Sequence, residues 1–258
     1  MTNSPYRIGS LENALLLLET LSECPDSSLA DLSRRLDAPR ARVFRHLRAL
    51  EAGGYVRQKE GTKRYVLGPR LIHLGEAARD QTRLPEIARA FMVSLRDRLN
   101  ETTHLGVLSR REVVHVEVVP STHYVKMAVE VGERTYGHCS ALGKVLLAWS
   151  EPQVVDDFVE QRGLPGFTDR TITSGEQLYA ELAQIRASGY GLDDEESVIG
   201  LRCVAAPVRD DSNRVVSALS VSSPSERLTR EAAVELAPMV IETAEAISRQ
   251  LGWDRELA

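Results

Sequence analysis

The sequence predicts an α+β protein of two domains, on three observations. Its 258 residues exceed the size of one ordinary domain. Basic residues are concentrated in residues 34–64, although the whole chain carries a net charge of −5. A helical segment that ends in a hairpin pattern precedes a longer segment in which strand and helix patterns are mixed. We therefore divide the chain into a head (residues 1–67), a linker (residues 68–80) and a body (residues 81–258).

Composition and cysteine usage exclude several classes of protein. Hydrophobic residues make up 43% and charged residues 27% of the chain, which is typical of soluble globular proteins. Cys24, Cys139 and Cys203 form an odd, scattered set, which argues against a disulfide scaffold or a cysteine zinc site. The N-terminal segment lacks the pattern of a secretion signal, and its longest apolar run, Ala14–Leu18, is too short to span a membrane. We therefore expect a cytoplasmic protein.

The charge of the chain is distributed unevenly. Residues 1–66 hold 11 Lys and Arg against 8 Asp and Glu, a net charge of +3, so the remainder carries −8. Within residues 34–64, Asp37, Glu51 and Glu60 are the acidic residues among ten basic ones. A concentrated basic segment in an acidic protein indicates a polyanion-binding head, although a solvated charged face would have the same composition.

Hydrophobic periodicity predicts two helices at the start of the head. The first covers roughly residues 10–22 and ends before Pro25. Its apolar side chains at helical spacing are Leu11, Ala14, Leu15, Leu18 and Leu21. The segment SLAD at residues 28–31 fits a capping box, and a short second helix follows it through Leu36.

A third helix and two strands complete the predicted head. Pro39 suits the first helical position, and the helix is predicted to run to about Ala52, before two glycines. Residues 55–59 and 64–67 have strand patterns on either side of a turn. Three helices followed by a hairpin predict a winged helix-turn-helix, which is a DNA-binding arrangement.

The third helix has the charge pattern of a helix that contacts DNA. Val43, Leu47 and Leu50 share one face, which we expect to pack inward. Arginines outside that face can contact phosphates and can recognise guanine through two hydrogen bonds. Basic residues of the hairpin could reach the adjacent backbone or minor groove. The candidate DNA contacts are Arg40, Arg42, Arg45, Arg48, Lys59, Lys63 and Arg64.

The rest of the chain mixes helix and strand patterns, which indicates an α+β body. Predicted helices cover residues 69–78, 84–99, 142–149, 152–161, 175–188 and 229–251. Predicted strands cover residues 103–108, 113–119, 125–129, 203–208 and 215–221, with turns at 109–112 and 210–213.

Few patterns in the body are typical of catalysis. His138 and Cys139 are adjacent, so their side chains should seldom face each other, and no nucleophile elbow accompanies them. The six histidines lack metal-binding spacings, and no complete phosphate-binding loop occurs. We therefore predict no catalytic residue, no metal site and no cofactor. His104 and His115 could face each other on a predicted hairpin, and we interpret them as a coincidence of two sheet histidines.

Several separated segments resemble the IclR family of bacterial transcriptional regulators. In the head, LADLSRRLDAPRARVFRHLRALEAGGYV and YVLGPRLIHLG are similar to the family's DNA-binding domain and linker helix. In the body, the similar segments are GHCSALGKVLLA from Gly137, GYGLDDEESVIGLRCVAAPVRD from Gly189 and SALSVSSP from Ser217. The resemblance covers nearly the whole chain. It implies a GAF-like antiparallel sheet with a ligand pocket in an effector-binding and oligomerisation domain.

The resemblance also implies the residues of an effector site. Asp193 lies ten residues before Cys203, which is the family's spacing between its effector-contacting Asp and its pocket Cys. Ser220 and Ser222 match paired pocket serines, and their spacing places both on one face of a strand. The family's loop before a helix, where backbone N–H groups favour an anion, corresponds here to Ser140, Ala141 and Leu142.

Two departures from the family pattern affect recognition. Ala41 and Arg42 stand near the start of the third helix, where the family usually has Ser-Thr, so Ala41 joins the candidate DNA contacts. Tyr136 and Gly137 stand where the family often has Pro-Leu. A lost leucine side chain would enlarge the pocket and Tyr136 would add an aromatic wall, which favours an aromatic or otherwise bulkier acid.

These observations predict a ligand-responsive DNA-binding transcriptional regulator that senses a small organic acid and controls a metabolic or catabolic operon. We expect a repressor, although the operator's position could make it an activator. A homodimer or tetramer would bind roughly palindromic double-stranded DNA. Two alternatives stay open: an enzyme acting on a small acid through His138, Cys139, Asp193 and Cys203, or an architectural DNA-binding protein without a sensor.

Overall fold

The computed structural model describes residues 9–110 and 112–254, with backbone alone for residues 76, 78–82 and 162. The described residues form two compact units, which divide the chain after Thr82. The predicted head and its linker helix belong to the first unit. The first eight residues of the predicted head and the last four of the predicted body lie outside the described residues.

The first unit has the predicted winged helix-turn-helix. Its elements are α1 (Gly9–Glu23), β1 (Ser27–Ser28), α2 (Leu29–Arg35), α3 (Arg40–Ala52), β2 (Val56–Gln58), β3 (Arg64–Leu67) and α4 (Arg70–Thr82). The three strands form an antiparallel sheet in the order β1-β3-β2. The two-residue strand β1, which the sequence patterns did not predict, pairs Ser27 with Tyr65 and Ser28 with Arg64.

Local capping explains where the helices of the head begin. Ser28 caps α2, because its hydroxyl accepts the N–H of Asp31 while the Asp31 carboxylate accepts the N–H of Ser28, as the capping box predicts. Pro39 is the residue before α3, not its first helical residue as predicted. Its carbonyl accepts the N–H groups of Arg42 and Val43 at 2.8 and 3.2 Å.

The buried residues of α1 are Leu21, which belongs to the predicted apolar series, and Leu17, which does not. Leu17 and Leu21 are buried, whereas Leu11 and Leu15 are 56% and 43% exposed. Four consecutive leucines at residues 15–18 fit more than one helical face, so periodicity alone did not identify the inner one. In α3 the predicted inward residues Val43 and Leu47 are buried.

The second unit is built on one six-stranded antiparallel sheet. Its elements are α5 (Leu84–Leu99), β4 (Thr102–Ser109), β5 (Glu112–Val119), β6 (Arg134–Tyr136), α6 (Ala141–Ala148), α7 (Pro152–Arg162), α8 (Gly175–Ser188), β7 (Gly191–Asp194), β8 (Leu201–Arg209), β9 (Val215–Pro224) and α9 (Arg230–Gln250). The strand order is β6-β5-β4-β9-β8-β7.

Helices cover both faces of this sheet. On one face, α5 and α9 pack over apolar strand residues such as Leu219 and Val221. On the other face, α6, α7 and α8 pack over residues such as Ala205 and Ala218. Side chains alternate between the faces of a strand, so Ser220 and Ser222 point to the α6 side.

One predicted strand is wrong, and two edge strands were not predicted. Residues 125–129 are not a strand, although their sequence alternates. The edge strands β6 and β7 were not predicted, because β6 has three residues and β7 ends in two aspartates, which are depleted in strands. Arg111, in the predicted turn between β4 and β5, lies outside the described residues.

Candidate functional site

The outer face of α3 carries a cluster of exposed arginines. Arg40, Arg42 and Arg45 are exposed, and Ala41 lies among them at the start of the helix. Val43 and the leucines behind it fix this orientation, because they are buried in the core of the head. Among the described residues, none forms a side-chain ion pair with these three arginines. Their guanidinium groups are therefore available to a polyanion.

Arg48 has a different role from the other arginines of α3. Its Nη1 lies 2.8 Å from Oε2 of Glu51, one turn later. The second oxygen of Glu51 accepts the N–H of Gln58 at 3.3 Å, so this carboxylate connects α3 to β2. The pair positions the recognition helix against the wing, which sequence spacing did not predict.

The three basic candidates of the wing also differ from one another. Arg64 donates a hydrogen bond to the carbonyl oxygen of Asp26 at 2.5 Å, and Lys59 lies 3.7 Å from the carboxylate of Asp26. All three wing candidates, including Lys63 in the turn, are exposed. Sequence reasoning missed Phe44, whose ring is 45% exposed beside Arg45 on α3. An exposed aromatic ring in a basic helix was a signal that charge counting ignored.

The body contains a cavity of about 270 Å³ between the sheet and α6. This volume is close to the lower limit of small-molecule pockets, which is roughly 300 Å³. The cavity brings together eight of the nine predicted effector residues: Tyr136, Ser140, Ala141, Leu142, Asp193, Cys203, Ser220 and Ser222. These residues come from distant segments of the chain, and the sheet register aligns several of them. Ser222 is opposite Cys203, and Cys203 is opposite Asp193.

Gly137 is the ninth predicted residue, and it does not line the cavity. A Cβ atom on Gly137 would lie 3.0 Å from the ring of Phe158, in the core under α6. A Cβ atom on Gly143 would lie 2.3 Å from Cα of Gly137. The two glycines therefore let the loop and α6 approach closely. The expectation that Gly137 enlarges the pocket is wrong, because its missing side chain makes room for Phe158.

The start of α6 faces the cavity with polar backbone groups. Ser140 is the N-cap residue, its hydroxyl accepts the N–H of Gly143 at 3.2 Å, and that hydroxyl donates to the carbonyl of Tyr136 at 2.7 Å. The first N–H groups of a helix have no partner within it, so those of Ala141 and Leu142 favour an anion.

Asp193 is a nearly fully buried carboxyl group, with 1% exposure. Its Oδ1 accepts the N–H groups of Glu196 and Ser197 at 2.8 and 3.3 Å, and its Oδ2 accepts the Ser197 hydroxyl at 2.5 Å. Burial raises the pKa of Asp193 and outweighs these hydrogen bonds, which lower it. The side chain is thereby held in one orientation at the cavity wall.

A buried ion cluster lies behind Asp193. Lys144 of α6 is 1% exposed, and its Nζ lies 2.8 Å from Oε1 of Glu181 and 2.5 Å from Oε1 of Glu196. Burial lowers the pKa of Lys144, but the two carboxylates raise it above its usual value. Burial raises the pKa of Glu196 to about 7. This cluster joins α6, α8 and the turn after β7, so it supports the wall that carries Asp193.

Aromatic and imidazole rings complete the cavity wall. Tyr136 contacts Phe167, with ring centroids 4.8 Å apart, and both rings line the cavity. His104 and His115 line the cavity as well, so the interpretation of the two as a coincidence of sheet histidines is wrong. No sequence pattern predicted Phe167 as a cavity residue, because it lies in a loop outside every motif.

The chemistry of the cysteines does not favour the enzyme alternative. Burial raises the pKa of Cys139 to about 12 and raises the pKa of Cys203 as well. Both side chains are therefore protonated near neutral pH, and a thiol is a poor nucleophile. His138 is buried, with Nε2 3.0 Å from the carbonyl oxygen of Pro165. Among the described residues, no three His, Cys, Asp or Glu side chains come together as a metal site.

A basic winged helix-turn-helix and a separate α+β unit, whose mostly apolar cavity has several polar groups in its wall, define a class of protein, the DNA-binding regulator with a cavity in its second unit. Two family models match the chain. The IclR helix-turn-helix domain matches residues 10–60, and the model described as bacterial transcriptional regulator IclR C-terminal matches residues 76–249. The chain belongs to the IclR family of transcriptional regulators.

Relatives and solved structures support this assignment over nearly the whole chain. The HTH-type transcriptional regulator KdgR of Escherichia coli K12 is 34% identical over 98% of this chain and 96% of its own. The transcriptional repressor IclR of the same strain is 30% identical over 96% and 92% of the two chains. These relatives are transcriptional regulators, not enzymes.

Two solved structures have the same fold. An IclR regulator from Silicibacter matches with a TM-score of 0.85, 26% identity and coverage of 95% of this chain and 97% of its own. An IclR homologue from Microbacterium hydrocarbonoxydans, solved with 4-hydroxybenzoate, matches with a TM-score of 0.80 and 26% identity over 94% and 98% of the chains. No helix in the described part of the chain is long and apolar enough to span a membrane.

Proposed function

We propose that this regulator is an effector-controlled repressor of a metabolic or catabolic operon. In this proposal residues 1–67 bind operator DNA, and residues 68–80 link this domain to the body. Residues 81–258 bind the effector and form a homodimer or tetramer. The protein would act in the cytoplasm, on double-stranded DNA with a roughly palindromic sequence, since a dimer presents two recognition helices to two half-sites.

The exposed face of α3 supports the DNA-binding part. Arg40, Arg42 and Arg45 can contact phosphates or guanine, and Phe44 beside them offers an apolar ring to a thymine methyl group. In this proposal Lys59, Lys63 and Arg64 of the wing contact the flanking backbone. Arg48 contributes by positioning, because its guanidinium pairs with Glu51.

The cavity carries the effector part of the proposal. It holds a helix start, two serines and a buried carboxyl group against a wall formed by Tyr136 and Phe167. We propose that the carboxylate of a small organic acid lies against the N–H groups of Ala141 and Leu142 and the hydroxyls of the serines. The apolar and aromatic wall favours an aromatic or similarly bulky acid, and a 4-hydroxybenzoate complex of an IclR homologue supports this choice.

A thermal-shift screen of the full chain against small keto acids and aromatic acids tests the effector site. Only a ligand that prefers the folded state raises the melting temperature saturably. The affinity of the protein for operator DNA is then measured with and without the stabilising acid, at fixed salt. We expect the acid to change operator affinity by about 5- to 150-fold, which is typical of allosteric coupling. A screen with no binding acid would favour the architectural alternative, and an acid that binds without changing operator affinity would contradict effector control.

A matched pair of variants on β9 localises the binding. Ser220→Ala removes a hydroxyl from the cavity, whereas Ser223, three residues further along β9, points to the opposite face and is also buried. We expect Ser220→Ala to weaken acid binding by about 2- to 13-fold, as the loss of one hydrogen bond does. Ser223→Ala should leave it unchanged. Equal effects of the two variants would place the acid elsewhere.

A further inference from the structure

Two histidines form one wall of the effector cavity. His104 lies on β4 and His115 on the neighbouring strand β5, and their exposures are 1% and 4%. Their ring centroids are 5.2 Å apart, with ring planes at 72°. A register shift between Leu105 and Gly106 places His115 opposite Gly106, so both rings reach the same side of the sheet.

The ring nitrogens of the two histidines have no hydrogen-bond partner in the part of the chain that the structure describes. Among the described residues, none donates to or accepts from Nδ1 or Nε2 of His104 or His115, although all four nitrogens are buried. The large majority of buried polar side-chain atoms in proteins have a hydrogen-bond partner, and an unpaired one is destabilising. Both rings border the cavity, so the molecule that occupies the cavity is the natural partner.

The protonation of the two rings limits what they can bind. Burial lowers the pKa of His104 to about 3 and of His115 to about 4, so both are neutral near pH 7. A neutral imidazole has one N–H donor and one acceptor nitrogen. A carboxylate only accepts hydrogen bonds and an ammonium group only donates them. A hydroxyl group does both, so it can donate to one ring and accept from the other.

The position of the pair agrees with a ligand that has a second polar group. His104 is the register partner of Ser220, so it lies one strand away from the serines. Neighbouring strands are about 4.8 Å apart, so His115 lies roughly two strand spacings from β9. A carboxylate at the serines and the start of α6 would therefore leave the imidazoles within reach of a substituent elsewhere on a small molecule.

We propose that His104 and His115 together bind a hydroxyl group of the effector, so that the effector is a small hydroxy acid. This inference rests on the proposed effector site and names the ligand class of that site. It also makes the two histidines specificity-determining residues, since an acid without the hydroxyl group leaves their nitrogens unpaired.

Matched pairs of acids test the inference on the full chain. The probes are 4-hydroxybenzoate with benzoate, 3-hydroxybutyrate with butyrate, and lactate with propionate, each titrated by calorimetry at fixed pH and salt. We expect the hydroxy member of at least one pair to bind about 10- to 100-fold more tightly than its partner, because buried polar groups are then satisfied.

Variants assign that preference to the histidines. His104→Leu and His115→Leu replace an imidazole with an apolar side chain, so the preference for the hydroxy acid should disappear while the acid without the hydroxyl group keeps its affinity. His73→Leu, on the exposed surface of α4, is the matched control and should retain the preference. A merely structural histidine would change both affinities together.

The outcomes separate this inference from the proposed function. Binding of no acid would overturn both. Equal binding within every pair, or a preference that survives in both cavity variants, would overturn the histidine inference and leave the effector site standing. If the variants fail to fold, the NMR chemical shifts of the ring nitrogens in the wild-type protein test whether the two histidines contact the hydroxy acid. The shifts of His104 and His115 should change with the hydroxy acid, and unchanged shifts would overturn the inference.

Discussion

The head and the body present their polar side chains in opposite ways. The arginine candidates of α3 are exposed on a helix whose other face is buried. The candidates of the body, such as Asp193 and Ser220, are 1% exposed and are held by neighbours from other strands and loops. An exposed charge keeps its water, whereas a buried one needs a specific partner. The surface of the head can therefore change at little cost in stability, while the cavity of the body cannot.

The largest difference in stability that we expect between the two regions follows from replacing one cationic side chain in each. Lys144→Met leaves Glu181 and Glu196 without their counter-ion in the buried cluster. We expect a loss of about 3–5 kcal/mol in the free energy of unfolding, which is typical of breaking a buried ion pair. Arg45→Met, on the exposed face of α3, should change it by less than about 0.5 kcal/mol.

Urea unfolding measures this contrast. The two tryptophans, Trp149 and Trp253, both lie in the body, so fluorescence reports the body, and circular dichroism reports all helices. Similar losses for the two variants would contradict the distinction between an exposed surface and a buried cluster.

The pH dependence of stability sharpens the same contrast. Burial raises the folded-state pKa of Glu196 to about 7, above its ordinary 4.5, so in this range the folded state holds a proton that the unfolded state has lost. Unfolding then releases a proton, and stability falls as pH rises through this window. We expect the free energy of unfolding of Glu196→Gln, taken relative to that of the wild type, to increase by on the order of 1–3 kcal/mol between about pH 5 and pH 8.

Unfolding in urea at several pH values checks this slope. Glu60→Gln, in the exposed turn of the wing, is the control and should follow the wild type. Parallel wild-type and Glu196→Gln curves would show that Glu196 titrates normally in the folded protein.

A glycine in each unit tests how closely the helix that contains it is packed against its surroundings. Gly143 is in α6, where an added Cβ would meet the backbone of Gly137 at 2.3 Å. Gly75 is in α4, and an added Cβ there would have no described atom within 4 Å. Gly143→Ala should destabilise the protein by about 1–3 kcal/mol through overpacking. Gly75→Ala should stabilise it by about 0.5–1 kcal/mol through helix propensity. Thermal unfolding of both variants measures the two signs, and equal signs would refute the close approach.

DNA binding gives the converse test, in which the exposed surface matters and stability does not. Arg45→Met should lower operator affinity by about 10- to 100-fold, because one arginine contact with a base contributes on the order of 1–3 kcal/mol. Arg98→Met, an exposed arginine of α5 in the body, is the control and should bind as the wild type does. Fluorescence anisotropy with labelled operator DNA at fixed salt measures both affinities. Normal affinity of the Arg45 variant would remove this residue from the DNA-binding surface.

Local patterns were enough to predict most of the head. Helical spacing predicts α3 with Val43 and Leu47 inside, and a capping box predicts the start of α2, because these signals lie within a few residues of each other. Periodicity did not identify Leu17 of α1 as a buried residue, since four consecutive leucines carry no unique period. The ion pair of Arg48 was missed because charge counting ignores which neighbouring charges pair with each other on the folded surface.

The body was harder to predict, and its residues show why. Family resemblance singled out Asp193, Ser220 and Ser222, which the cavity brings together. The same reasoning misjudged Gly137, because the space that a side chain would occupy depends on Phe158, a residue far away in sequence. The edge strands β6 and β7 were also missed, since neither has a pattern of its own.

The sequence by itself determined that this protein has a basic winged helix-turn-helix, an α+β body and membership of the IclR family. These properties depend on periodicity, charge and short motifs, which are local. The tertiary structure alone decided that His104 and His115, which the sequence could place face to face on a hairpin, border a cavity, that Lys144 is paired with two glutamates, and that Gly137 lies against Phe158. Each of these depends on strand register and helix packing between distant segments, which no local pattern specifies.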